Sequence, residues 1–87
     1  MAKSILVILV GKRKDAAVNV QKLLTAWGCI IKTRLGIHDG VLNQCSEEGL
    51  IILELVGTEE QHEELKRKLN LLLGVTSQLV TLALDEE

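Results

Sequence analysis

Residues 49–61 read GLIILELVGTEEQ, and the fold turns on how this stretch is read. Gly49 to Val56 is apolar apart from Glu54, short, and closed by Gly57, the pattern of a strand near the middle of a sheet. Thr58 follows, with Gln61 three residues on, the spacing of a capping box in which each side chain satisfies the other residue's backbone N–H. A strand, a glycine and a capped helix therefore succeed one another within thirteen positions.

The helix extends from there in the expected way. Glu59 and Glu60 suit its positive end, Lys66, Arg67 and Lys68 its negative end. Glu63-Arg67 and Glu64-Lys68 form i,i+4 pairs, and Leu65, Leu69 and Leu72 make the stripe to be buried. Gly74 ends it, and Val75 to Leu84 reads as a final strand before an acidic tail.

The same unit occurs near the start of the chain. Ser4 to Val10, SILVILV, is a second buried strand closed by Gly11. Asp15 can cap a helix running to about Trp27, with Val20, Leu23, Leu24 and Trp27 on one face and Gly28 ending it. Cys29 to Ile37 then alternates with period two, Cys29, Ile31, Thr33, Leu35 and Ile37 forming the inward set, as in a half-exposed edge strand. The order strand, helix, strand, strand, helix, strand closes as an α+β ferredoxin-like sandwich, a four-stranded antiparallel sheet with two helices on one face. The whole chain, residues 1–87, makes one domain.

Composition narrows the class. Hydrophobic residues are 47% of 87, with proline, tyrosine and phenylalanine absent, so the core is aliphatic. Ten basic against twelve acidic residues give a net charge of −2, which does not pull on phosphate backbones as a basic face does, so direct nucleic-acid binding is not expected. The apolar run at the start is too short for a membrane span and lacks a small-residue cleavage site, so cytoplasmic location and free thiols at Cys29 and Cys45 are expected.

With both helices on one side, the other sheet face is expected to carry Leu50, Ile52 and Val56, with Arg34 and Lys32 beside them. An apolar patch of that kind needs a cover. Another copy of the chain is the economical candidate, through sheet faces or sheet edges, giving a homodimer, a tetramer or another even-numbered oligomer.

Candidate site residues cluster in two loops. Gly11-Lys12-Arg13-Lys14 precedes a helix start, where free N–H groups favour a phosphate or carboxylate, although a solvated basic loop is the simpler account. The stretch RLGIHDGVLNQC, residues 34–45, offers Arg34 and His38 to a ligand and His38 with Cys45 to a metal. Two ligands are too few for a four-coordinate ion, so such a site would need a second chain, with His62 as a further contributor. The simpler account makes His38 a turn residue and Cys45 a small hydrophobic anchor. Arg34 is expected to pair with Glu54 across the strands, Trp27 to sit in the core, and Cys29 to be buried and inert. With both histidines on elements expected to be exposed, no nucleophile, base and orienting group assemble, and the chain reads as a non-enzyme of unknown cofactor.

The segments ILVILVGKRKDAAVNVQKLL, RLGI, EEGLIILELVGT and LLLGVTSQLVTLAL together resemble the small ACT-like proteins described as iron-only hydrogenase system regulators. The resemblance implies an ACT-like fold and a regulatory or ligand-sensing role without catalysis. It also implies an oligomer whose subunits set their sheets beside one another, with a small-molecule or protein partner. Amino-acid-binding ACT domains carry an acidic residue before the glycine of the first strand-to-helix loop, whereas this loop runs GKRKD. The chain is also similar to the metal-sensing domain of nickel-responsive regulators, where His38 and Cys45 fall in roughly comparable places, although that family has a closely spaced histidine pair and this chain has one histidine there.

Overall fold

The computed structural model describes residues 1–13, 15–38 (the backbone alone at His38) and 49–85. Their order is β1 (Ala2–Val10), α1 (Ala16–Ala26), a 3-10 turn (Gly28–Ile30), β2 (Ile31–His38), β3 (Gly49–Leu55), α2 (Glu59–Asn70) and β4 (Val75–Ala83). The strands make one antiparallel sheet in the order β2-β3-β1-β4, with the two most apolar strands in the centre. This is the ferredoxin-like βαββαβ arrangement expected from the sequence.

Alternation assigns the faces. Directly paired residues point the same way, so Leu6 shares a face with Leu53 and Leu79, and Ile8 with Ile51 and Ser77. The helices cover that face, where Val20 and Leu24 of α1 and Leu65 and Leu69 of α2 close a core with Leu6, Ile8, Val10, Leu53 and Leu55. The opposite face carries the intervening residues in three rows: Ile37, Leu50, Leu9 and Thr76; then Leu35, Ile52, Val7 and Gln78; then Thr33, Glu54, Ile5 and Val80. Nothing in the chain's described residues lies over these rows. Leu50 and Ile52 stand on this face as expected, and Val56 is exposed just past the end of β3.

β2 departs from its expected course at both ends of one irregularity. The Ile30 N–H donates to the Trp27 carbonyl at 3.2 Å, closing a 3-10 turn that carries Ile30 into the core and leaves Cys29 exposed instead of buried. Ile31 then pairs with Leu55 but Thr33 with Glu54, so two steps along β2 match one along β3. Such a bulge switches the face on which every later side chain lies. Thr33, Leu35 and Ile37 move to the open face, and Arg34 moves to the helix side. Trp27 packs half-buried against the core.

The helix starts differ in how they are held. Thr58 and Gln61 form both hydrogen bonds of the capping box, Gln61 N–H to Thr58 Oγ1 at 3.2 Å and Thr58 N–H to Gln61 Oε1 at 2.9 Å. Gly57 makes the preceding turn with φ of 95°, a region that L side chains avoid. Asp15, by contrast, stands at the N-cap of α1 without a side-chain capping hydrogen bond: its carboxylate pairs with Arg13 Nε at 3.2 Å. On α2 the observed ion pair is Arg67–Glu64 at 2.6 Å, one residue closer than the expected i,i+4 partners.

The end of α2 is fixed to β4 by Asn70. Its Oδ1 accepts from the Ser77 N–H at 2.7 Å and its Nδ2 donates to the Ser77 carbonyl at 3.3 Å, so buried Ser77 is satisfied where β4 needs an extra partner. His62 is 4% exposed, in contrast to the expectation of an exposed histidine. It stands three residues before Leu65 on the buried stripe, and its Nε2 lies 2.8 Å from the Val56 carbonyl. Nε2 therefore donates to that carbonyl, and Nδ1 is buried without a hydrogen-bond partner among the described residues.

Replacing Thr58 with alanine is expected to lower stability by about 1 kcal/mol, the usual cost of losing such a cap, read as a lower urea midpoint with unchanged slope.

Candidate functional site

Edge strand β2 reaches beyond the cover that α1 supplies, and the gap this leaves is a partly enclosed recess. Val10, Ala17, Val20 and Ile51 form its apolar floor and wall, and Gln21 and Arg34 stand at its mouth. The cleft holds about 190 Å³. Two glycines keep it open: a Cβ built at Gly36 would meet nothing within 4 Å, and Gly49, also in the lining, adds no side chain.

Arg34 reaches the cleft because the β2 bulge turned it to the helix side. Its Nη2 donates to Gln21 Oε1 at 2.6 Å. The expected pair with Glu54 is absent, since Glu54 lies on the other face of the sheet. Among the described residues, no carboxylate neutralises Arg34, so its charge is held by a neutral amide at the rim of an apolar recess. A guanidinium in that position can take a carboxylate or phosphate in two parallel hydrogen bonds.

Glu54 finds its partners on the open face. Lys3 Nζ lies 2.9 Å from Oε2, Lys32 Nζ lies 3.9 Å from the same oxygen, and Thr33 Oγ1 donates to Oε1 at 3.5 Å. The carboxyl is held below the usual glutamate range, first by the hydrogen bond from Lys3. Partial burial opposes this, while the charges of Lys3 and Lys32 and the bond from Thr33 add to it.

The remaining sequence candidates are not gathered in the cleft. The Gly11 N–H donates to the Gly74 carbonyl at 2.8 Å, and Gly11 borders a shallow hollow between the ends of β1 and β4, on the far side of the sheet from β2. Its donor thus serves the junction with the α2–β4 turn. Lys12 is exposed beside it, and Lys14 lies outside the described residues. The His38 backbone pairs with Gly49, which lines the cleft, whereas the His38 side chain and Cys45 lie outside the described residues. Among the described residues, no three His, Cys, Asp or Glu side chains come together as a metal site. No described helix is long and apolar enough to cross a membrane.

Gln21 is the site residue that the sequence did not single out. It flanks the Val20–Leu24 stripe of α1, and only the folded pairing of α1 with the β2 edge brings it to Arg34.

This geometry is a ferredoxin-like plate with a small apolar cleft, edged by Arg34 and Gln21, beside one sheet edge. The chain is similar over 95% of its length to the whole of the uncharacterized protein TM1266 from Thermotoga maritima, with 27% identity and a TM-score of 0.78. Its fold is also shared by CPII from Thiomonas intermedia K12, a nitrogen regulatory PII-like protein. In the apo form that protein matches at 17% identity and a TM-score of 0.51, over 93% of this chain and 88% of that one. The form of CPII bound to ADP, AMP and acetate matches at 13% identity and a TM-score of 0.53, over 94% and 89%. No family model and no curated protein matches the sequence.

Replacing Lys3 with alanine should move the Glu54 titration, followed by carboxyl NMR, up toward the ordinary glutamate value. The sign follows from linkage: a depressed folded-state pKa stabilises the fold above the unfolded value, and that contribution is lost as pH falls through the folded one. The difference in stability between the unaltered chain and Lys3→Ala should therefore shrink on acidification; a difference that grew would contradict the assignment.

Proposed function

We propose that this chain is a small regulatory module that senses a small anionic ligand in the cleft between α1 and the β2–β3 edge, acting as a homo-oligomer without catalysis of its own. The observation that carries the reading is Arg34: a guanidinium at the mouth of an apolar recess, positioned by Gln21 and lacking a carboxylate partner among the described residues. A ligand with an acidic head and a short apolar body would satisfy both parts of that recess. The CPII structure supports the choice of chemistry, since acetate, AMP and ADP all present carboxylate or phosphate groups. Its description as nitrogen regulatory supports a signalling role for this fold.

The finer assignment, to regulation of an iron-only hydrogenase system, rests on the resemblance of the four segments quoted above, and the cytoplasmic placement on the short opening apolar run and the thiols of the sequence. With a net charge of −2, any effect on transcription would pass through a protein partner.

Calorimetric titration of the full chain with acetate, AMP and ADP separately tests the cleft. At least one should bind. Arg34→Gln should weaken that binding by a factor of ten or more, and Arg34→Lys should restore part of it, because charge returns without the paired geometry. Binding that is indifferent to Arg34→Gln, or no binding by any of the three, would overturn the reading.

A further inference from the structure

The face of the sheet opposite the helices is aliphatic where solvent would select polar residues. Leu9 is 49% exposed, Leu35 54%, Ile37 44%, Val80 40% and Leu82 62%. Register joins the first three, through half-buried Leu50, Ile52 and Val7, into one block spanning β2, β3 and β1. The exposed apolar area is on the order of 500 Å² per chain, at the size where such patches mark interaction surfaces.

We infer that this face is covered by the same face of a second copy of the chain, the two sheets stacking with their aliphatic rows interdigitated. Three observations favour an identical copy. First, the charges on the face are met within the chain: Glu54 is bound by Lys3 and flanked by Lys32, so no strong field of one sign repels a copy or calls for an oppositely charged partner. Secondly, the arrangement is right. An aliphatic block framed by Thr33, Thr76, Gln78 and the Lys3–Glu54 pair has the apolar centre and polar rim of a protein interface. Thirdly, the competing mode fails to remove the patch. Adding strands edge to edge at β4 would extend the sheet but leave the block on β2, β3 and β1 in water. The β2 edge is itself interrupted by the bulge between Ile31 and Thr33. The stacking is independent of the ligand reading, because Arg34 lies on the helix side of the sheet.

Sedimentation equilibrium of the full chain from 0.1 to about 100 μM, a range chosen to bracket ordinary dimer affinities, tests this. A dimer, or an even-numbered assembly of dimers, is expected. Leu35→Lys, at a position already exposed in the single chain, should raise the dissociation constant at least a hundredfold, while Val18→Lys on the outer surface of α1 should leave it unchanged. A monomer throughout, an odd-numbered assembly, or an oligomer indifferent to Leu35→Lys would overturn the inference, the last in favour of edge pairing. If circular dichroism shows that Leu35→Lys is unfolded, hydroxyl-radical footprinting of the unaltered chain decides. Leu9, Leu35 and Leu82, 49%, 54% and 62% exposed in the single chain, should be protected beyond what that exposure accounts for, relative to Leu71 (68%) and Leu73 (66%) of the α2–β4 turn. Equal reactivity of the two sets would contradict the stacking.

Discussion

Two helices cover one face of a four-stranded sheet, and every other property of this chain follows from that one-sided burial. A strand places alternate side chains on opposite faces, so β1 and β3, which are apolar at nearly every position, cannot satisfy both faces with the helices available. Leu6, Ile8, Leu53 and Leu55 go to the covered side and build the core with Leu65 and Leu69. Val7, Leu9, Leu50 and Ile52 remain on the other. An 87-residue domain has a small core to begin with, and leaving half of its most apolar strands in water forgoes much of the burial that stabilises domains of this size.

Local signals made most of the elements legible. The Thr58-Gln61 pair, Gly57, Gly74 and the two aliphatic runs each act within a few residues, and the structure contains the elements they announce. Long-range pairing defeated the reading of β2. Period-two alternation from Cys29 onward is a real pattern in the sequence, but the 3-10 turn and the bulge that interrupt it exist because Ile30 is carried into the core and β2 must match β3. Unbroken alternation puts Cys29 inward and Arg34 on the open face; the 3-10 turn exposes the first and the bulge turns the second to the helix side. His62 is different: its place three residues before Leu65 was visible in the helix period, and the signal was a polar residue on an apolar stripe.

The same bulge links fold to site. By turning Arg34 toward α1, it separates the guanidinium from Glu54 and sets it beside Gln21, above a recess that Gly36 and Gly49 leave unfilled. Nothing in the spacing of residues 21 and 34 discloses this contact, since it depends on how α1 crosses the sheet. Gly11, which the sequence offers as an anion donor, is held instead by Gly74. The Arg34 cleft thus lies on the covered side of the plate and the exposed aliphatic rows on the open side, with β2 and β3 common to both.

The most direct test of the central claim, that the open face is closed by association, is the dependence of unfolding on protein concentration. If stacking supplies the missing burial, the chain unfolds to separated monomers, and mass action requires the urea midpoint to rise as the chain is concentrated. A midpoint that climbs steadily over a hundredfold range of concentration is the result this account predicts. A midpoint that stays fixed over that range would mean the open face contributes nothing to stability through a second copy, and would contradict it.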